Sequence, residues 1–163
     1  MRFIIVRHGD PDYSIDSLTS KGWKEAELLS DRLTKLDVKN FYCSPLGRAK
    51  DTAKATLKKL NRKAKTLDWA REFEGKVKIN GETKGAWDRL PREWTDNPAF
   101  YNPQDWIKTP LMQSGNVERK YQKVCKGVDK LLAEHGYVHN GNVFEAYQSF
   151  SYFNQFVPTE GDF

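Results

Sequence analysis

The most constraining feature is at the start of the chain. Phe3, Ile4, Ile5 and Val6 form an apolar, mostly β-branched run, and it passes at once into Arg7-His8-Gly9. Such a run is short enough for a buried strand. Gly9 and Pro11 break it and open a polar loop. A helix is expected next. Thr19 or Ser20 can cap it, and Trp23, Ala26, Leu29, Leu33 and Leu36 recur at helical spacing. That stripe is expected to lie against a sheet.

The pattern then repeats. Phe41 to Cys43 reads as a second strand, and Ser44-Pro45 as the start of a second helix, with Ser as N-cap and Pro in the first helical position. Ala49, Thr52, Ala53, Thr56, Leu57 and Leu60 form its buried face. A third strand is expected near Lys65 to Trp69. Strand–helix–strand–helix–strand order predicts an α/β fold with a parallel or mixed sheet and helices on both faces, a three-layer sandwich. Residues 75–114 carry four prolines, Trp87, Trp94, Trp106, Phe100 and Tyr101. They read as an aromatic-rich lobe inserted into one domain spanning 1–163. The tryptophans are expected to serve mainly in packing. A helix from about Asn116 to Glu134 and a hairpin around Asn140-Gly141 follow.

Composition narrows the partners. Hydrophobic residues make up 38% and charged residues 30%, an ordinary globular balance. No apolar run reaches the roughly 18 residues of a membrane span, and the first strand begins too soon for a signal peptide. A cytoplasmic protein is expected. Net charge of +5 favours anionic partners, but no nucleic-acid-binding motif is present. The basic run from Lys54 to Lys65 reads as a solvated helix face. Cys43 and Cys125 lack metal-site spacing and read as free thiols.

The chemistry concentrates at the carboxyl ends of the first two strands, where ligands bind in open α/β sheets. Neutral imidazole at His8 can attack phosphorus. Arg7 can hold phosphate oxygens through paired hydrogen bonds. Arg48, in the first turn of the second helix, can join them beside a helix N-terminus that favours anions.

Three segments, IIVRHG at 4–9, LTSKGWKEAELLSDRL at 18–33 and CSPLGRAKDTA at 43–53, resemble the histidine phosphatase superfamily in order and spacing. The resemblance implies a phosphoglycerate mutase-like fold. It makes His8 the phosphoryl acceptor and Arg7 and Arg48 phosphate ligands. It also implies a glutamate that protonates the leaving group, which Glu72 fits, with Glu74 as the alternative. No cofactor or metal is implied, and the partner is a small phosphorylated substrate or inorganic phosphate. One element departs from the pattern. The superfamily's second active-site histidine follows a late apolar strand, but His135 ends a helix and His139 adjoins a turn. The chain is expected to stop, or to change character, before that unit. Three readings stay open: a phosphatase acting through phosphohistidine, a phosphoglycerate mutase-type phosphotransferase, and a truncated or degenerate member that binds phosphate with little turnover.

Overall fold

The computed structural model describes residues 2–146. These divide into two compact units, residues 2–71 and residues 72–146.

In the first unit, β1 (Pro11–Asp12) and β2 (Ser17–Leu18) pair antiparallel across a four-residue turn. Helix α1 (Ser20–Leu33) follows, and Thr19 caps it, its Oγ1 accepting from the Gly22 amide at 3.1 Å. β3 (Tyr42–Cys43) leads into α2 (Gly47–Lys59) and on to β4 (Lys65–Thr66). β3 and β4 are parallel, in register Tyr42↔Lys65 and Cys43↔Thr66, so α2 is the crossover of a strand–helix–strand unit. A left-handed Asn61 (φ 50°) stops α2. The Arg62 amide donates to the Leu57 carbonyl at 2.9 Å and the Asn61 amide to the Lys58 carbonyl at 3.2 Å, the two bonds of a Schellman turn.

Three expectations are corrected here. The run Phe3–Val6 pairs with no strand among the described residues, and its side chains are 42–84% exposed. Apolarity states a preference for burial, whereas a strand also needs a ladder partner. Helix α1 packs against α2, and the side chains buried on it are Gly22, Ala26 and Ser30, with Trp23 exposed at the margin. Small residues win this face because they let α2 and the loop at Asp10 approach closely. Finally, α2 starts at Gly47, past Ser44-Pro45, and its N-cap position, Leu46, makes no side-chain cap.

The helix pair is clasped at its far end. Lys59 Nζ lies 2.7 Å from Ser30 Oγ, 2.5 Å from Glu27 Oε1 and 2.8 Å from Asp31 Oδ1, so one α2 ammonium meets three α1 oxygens.

The second unit opens with a hairpin of β5 (Lys76–Ile79) and β6 (Glu82–Gly85). Its turn is Asn80-Gly81, both at positive φ (51° and 81°), the geometry of a type I′ turn. Short helices α3 (Pro91–Thr95) and α4 (Pro110–Gln113) precede α5 (Val117–Ala133). Asn116 Oδ1 and Ser114 Oγ accept from the Lys76 and Lys78 amides, both at 2.8 Å, which ties the approach to α5 to the edge of β5. Val77, Ala86, Met112 and Val117 form the core, flanked by Trp94, Phe100 and Trp106. Trp94 meets Phe100 edge-on, and Trp106 meets Tyr121 in the same way. Trp87, expected to pack, is 55% exposed. After Gly136 (φ 82°), β7 (Tyr137–Asn140) and β8 (Val143–Ala146) form the hairpin expected at Asn140-Gly141.

The described residues thus combine helices with four two-stranded sheets, one of them parallel, consistent with an α/β fold. None of their helices is long and apolar enough to cross a membrane.

Candidate active site

His8 is half-buried, and its Nδ1 lies 2.8 Å from the carbonyl oxygen of Gly9. A carbonyl can only accept, so Nδ1 carries the hydrogen. In the neutral ring the lone pair is then on Nε2, the nitrogen that must attack phosphorus.

The loop holding this ring is fixed on two sides. On one, the Gly9 amide donates to Thr52 Oγ1 at 3.0 Å, and Thr52 Oγ1 donates to the Arg48 carbonyl at 2.7 Å. Thr52 and Arg48 are one turn apart and both buried. The histidine loop and Arg48 are therefore joined to one face of α2. On the other side, the Asp10 amide donates to Glu25 Oε2 at 2.8 Å, and Thr19 Oγ1 donates to Asp10 Oδ2 at 2.6 Å. Gly22 passes so close that a Cβ there would lie 2.2 Å from the Asp10 carbonyl oxygen. Only glycine fits this crossing.

The N-terminus of α2 is organised by a residue from outside it. Asp16, in the left-handed region at φ 47°, accepts from the Gly47 amide at 2.7 Å with Oδ2 and from Arg48 Nη1 at 2.7 Å with Oδ1. It replaces the Ser44 cap expected from local sequence. The Gly47 amide, with the Arg48 guanidinium adding to it, holds the Asp16 carboxyl below its ordinary range. Arg48 also lies under the Tyr13 ring, 5.2 Å from its centre. Ser17 Oγ donates to Asp51 Oδ2 at 2.6 Å, a second tie between the β1–β2 turn region and α2.

The remaining sequence candidates sit as follows. Arg7 is exposed, and its side chain makes no hydrogen bond or ion pair among the described residues. Glu72 is the first residue of the second unit and is exposed. Glu74 is engaged by Lys120 Nζ at 2.6 Å. His139 Nδ1 lies 3.3 Å from Asp129 and its ring stacks on Phe144, while the His135 amide donates to Leu132 at the end of α5. Both histidines are thus built into the second unit's local structure. Burial pushes the Cys43 thiol up, away from a reactive thiolate. No cluster of metal-binding side chains occurs among the described residues.

Sequence reasoning missed Asp16 and the role of Thr52. Thr52 read only as a buried helix residue, and Asp16 only as part of a polar loop. Their work lies in contacts 32 and 43 residues away along the chain, which no local pattern announces.

Comparison with known proteins adds two findings. A family model described as "Histidine phosphatase superfamily (branch 1)" matches residues 3–143. The chain is also 36% identical over 69 residues to a 2,3-bisphosphoglycerate-dependent phosphoglycerate mutase of Thermoplasma acidophilum. That match takes in 36% of this chain and 34% of the relative, so the chain spans about a third of the length of the curated protein it matches.

Proposed function

The chain belongs to the histidine phosphatase superfamily, and from that premise we propose that it hydrolyses small phosphomonoesters through a phosphohistidine on His8. Nε2 attacks phosphorus, the N–P bond forms and the P–O bond to the alcohol breaks. Glu72 gives its proton to the departing alkoxide. Water then attacks the phosphohistidine, its proton passes to the Glu72 carboxylate, the N–P bond breaks, and inorganic phosphate leaves with both groups restored. Arg7 and Arg48 hold the phosphoryl oxygens throughout. The observation that carries the proposal is the Nδ1–H bond to Gly9, which leaves the attacking lone pair on Nε2 of a loop tied to the α2 face that bears Arg48. In the finer architecture that accompanies this reading, the chain would form a three-layer α/β sandwich.

Between the two glutamates, Glu72 is preferred. It holds the place after the third strand that the resemblance implies for the proton donor. Glu72→Gln should slow hydrolysis of an alkyl phosphate by about 10²–10⁴-fold and that of a nitrophenyl ester, whose leaving group needs no proton, far less. Glu74→Gln should do neither.

A phosphoglycerate mutase-type transfer is the second reading, favoured by the mutase relative. The two separate in one experiment. Labelled phosphoryl donor is mixed with the protein, and the products are followed with and without a phosphoglycerate acceptor. Release of phosphate without acceptor supports hydrolysis; transfer between acceptor positions supports the mutase. An acid-labile label on the protein that survives His8→Ala refutes both.

A further inference from the structure

Helix α5 turns an apolar side inward and shows solvent one sign of charge. Val117 and Leu131 are buried, whereas Arg119, Lys123, Lys126 and Lys130 are exposed. These four positions follow i, i+4, i+7, i+11 spacing, so they stand one above another on the side opposite the core. At 1.5 Å per residue the row is about 16 Å long. None of the four makes a hydrogen bond or ion pair among the described residues.

The carboxylates of α5 are engaged elsewhere. Glu118 accepts from Gln113 and Gln122, and Asp129 Oδ1 lies 3.3 Å from His139 Nδ1. Lys120, off the row, meets Glu74. A solvated helix face ordinarily interleaves the two signs, because like charges three or four residues apart destabilise a helix. Here Arg119 and Lys123, Lys123 and Lys126, and Lys126 and Lys130 are such neighbours in succession. An anion laid along the row relieves every one of these repulsions.

The shape of the row selects the partner. Charges in a line on a convex helix match a linear polyanion and enclose no small ligand. The apolar side of α5 is committed to the core of the second unit, so it cannot enter a bilayer as an interfacial helix does. Lysine and arginine contact phosphates, and no aromatic ring stands in the row to stack on a base. A single strand therefore has no advantage over a duplex, whose backbone is the more densely charged.

We propose that the exposed face of α5 binds the phosphodiester backbone of double-stranded nucleic acid without regard to sequence. The chain lacks a sequence-reading motif, and this row needs none. Nothing in it depends on phosphoryl transfer at His8.

Anisotropy of a short fluorescent DNA duplex, titrated with the full chain over a range of salt concentrations, tests it. Phosphate contacts release counterions, so four of them predict a slope of about −3.6 in log K against log salt. Each Lys→Gln change in the row should make the slope shallower by about 1 and weaken two unrelated sequences alike. Glutamine is a good helix former; with all four positions changed to glutamine, circular dichroism should show helicity kept while duplex binding is lost. Lys123→Arg should keep binding, and Lys54→Gln with Lys58→Gln on α2 should leave the slope unchanged. A folded fourfold variant that binds with the parent's slope overturns the proposal, as does a parent slope near zero. Polyglutamate or phosphatidylserine vesicles that bind through the row more tightly than the duplex would give this face to an acidic protein or a membrane, and would overturn the assignment to nucleic acid.

Discussion

Replacing Gly22 by alanine sets two effects of known size against each other. In a helix interior alanine is favoured over glycine by about 0.8–1.0 kcal/mol, so propensity alone predicts a more stable protein. The crossing with the histidine loop predicts otherwise. The new Cβ would lie 2.2 Å from the Asp10 carbonyl oxygen, where ordinary contact begins at 3.4 Å, so α1 or the loop must retreat by about 1.2 Å. The obstructing atom is main chain and accepts the Thr19 amide at 3.0 Å, so it cannot swing aside as a side-chain tip could. Overpacking of this kind costs about 1–3 kcal/mol, and the balance is a net loss of up to about 2 kcal/mol. Activity should suffer more than stability, because a displacement of about 1 Å at a reacting group can cost 10²-fold and Asp10 is two residues from His8. Urea denaturation gives the first quantity, and the rate of His8 phosphorylation by an aryl phosphate, under conditions where the variant is folded, gives the second. Lys24→Ala, on an exposed position of the same helix, should change neither appreciably. A Gly22→Ala protein as stable as the parent and equally fast would show that the crossing does not position the loop.

Other outcomes follow from the same contacts. Thr52→Val keeps the shape of the buried side chain but strips the Gly9 amide of its acceptor, and should destabilise by about 1–3 kcal/mol in a denaturation curve; Thr52→Ser should lose clearly less. The Asp16 carboxyl is held low in the folded state, so its stabilising effect is complete above its unfolded value of 3.8 and is lost as pH falls through the lower folded value. Acid unfolding of Asp16→Asn should lack that limb, and an identical acid limb would show that Asp16 does not anchor α2. In the second unit Met112 is 1% exposed, and Met112→Ala should cost about 2–5 kcal/mol by thermal denaturation; a smaller loss would mean that its neighbours collapse into the space.

Much of this was legible in sequence where the cause is local. Arg7-His8-Gly9 stands out because its residues are adjacent, and with two further segments it pointed to the family that the comparison shows; Thr19 and α5 follow from capping and a 3.6-residue period. The turn at Asn140-Gly141 was read from its dipeptide. The same dipeptide at Asn80-Gly81 went unread among the prolines and tryptophans around it, though there both residues have positive φ and form the two-residue loop itself, whereas Asn140 pairs with Val143 and only Gly141 turns. What stayed hidden depends on distance along the chain. Ser44-Pro45 looks like a helix start, but a carboxylate from Asp16 outcompetes it. Apolar periodicity found Ala26, which is buried, but it also pointed to the exposed Trp23 and passed over Gly22 and Ser30, whose value lies in being small. The pairing of residues 3–6 is a question of partners, on which an apolar run is silent.

The two close backbone crossings, Gly22 against Asp10 and Gly47 against Asp16, also bear on how such a chain can diverge. Positions 22 and 47 stand where any side chain would strike backbone, whereas the neighbouring Trp23 and Lys24 face outward. In a randomised library selected for turnover, glycine should persist at the first pair while the second drifts freely. Variation in surface charge could then accumulate along the outer side of α1 while the histidine loop stays where it is.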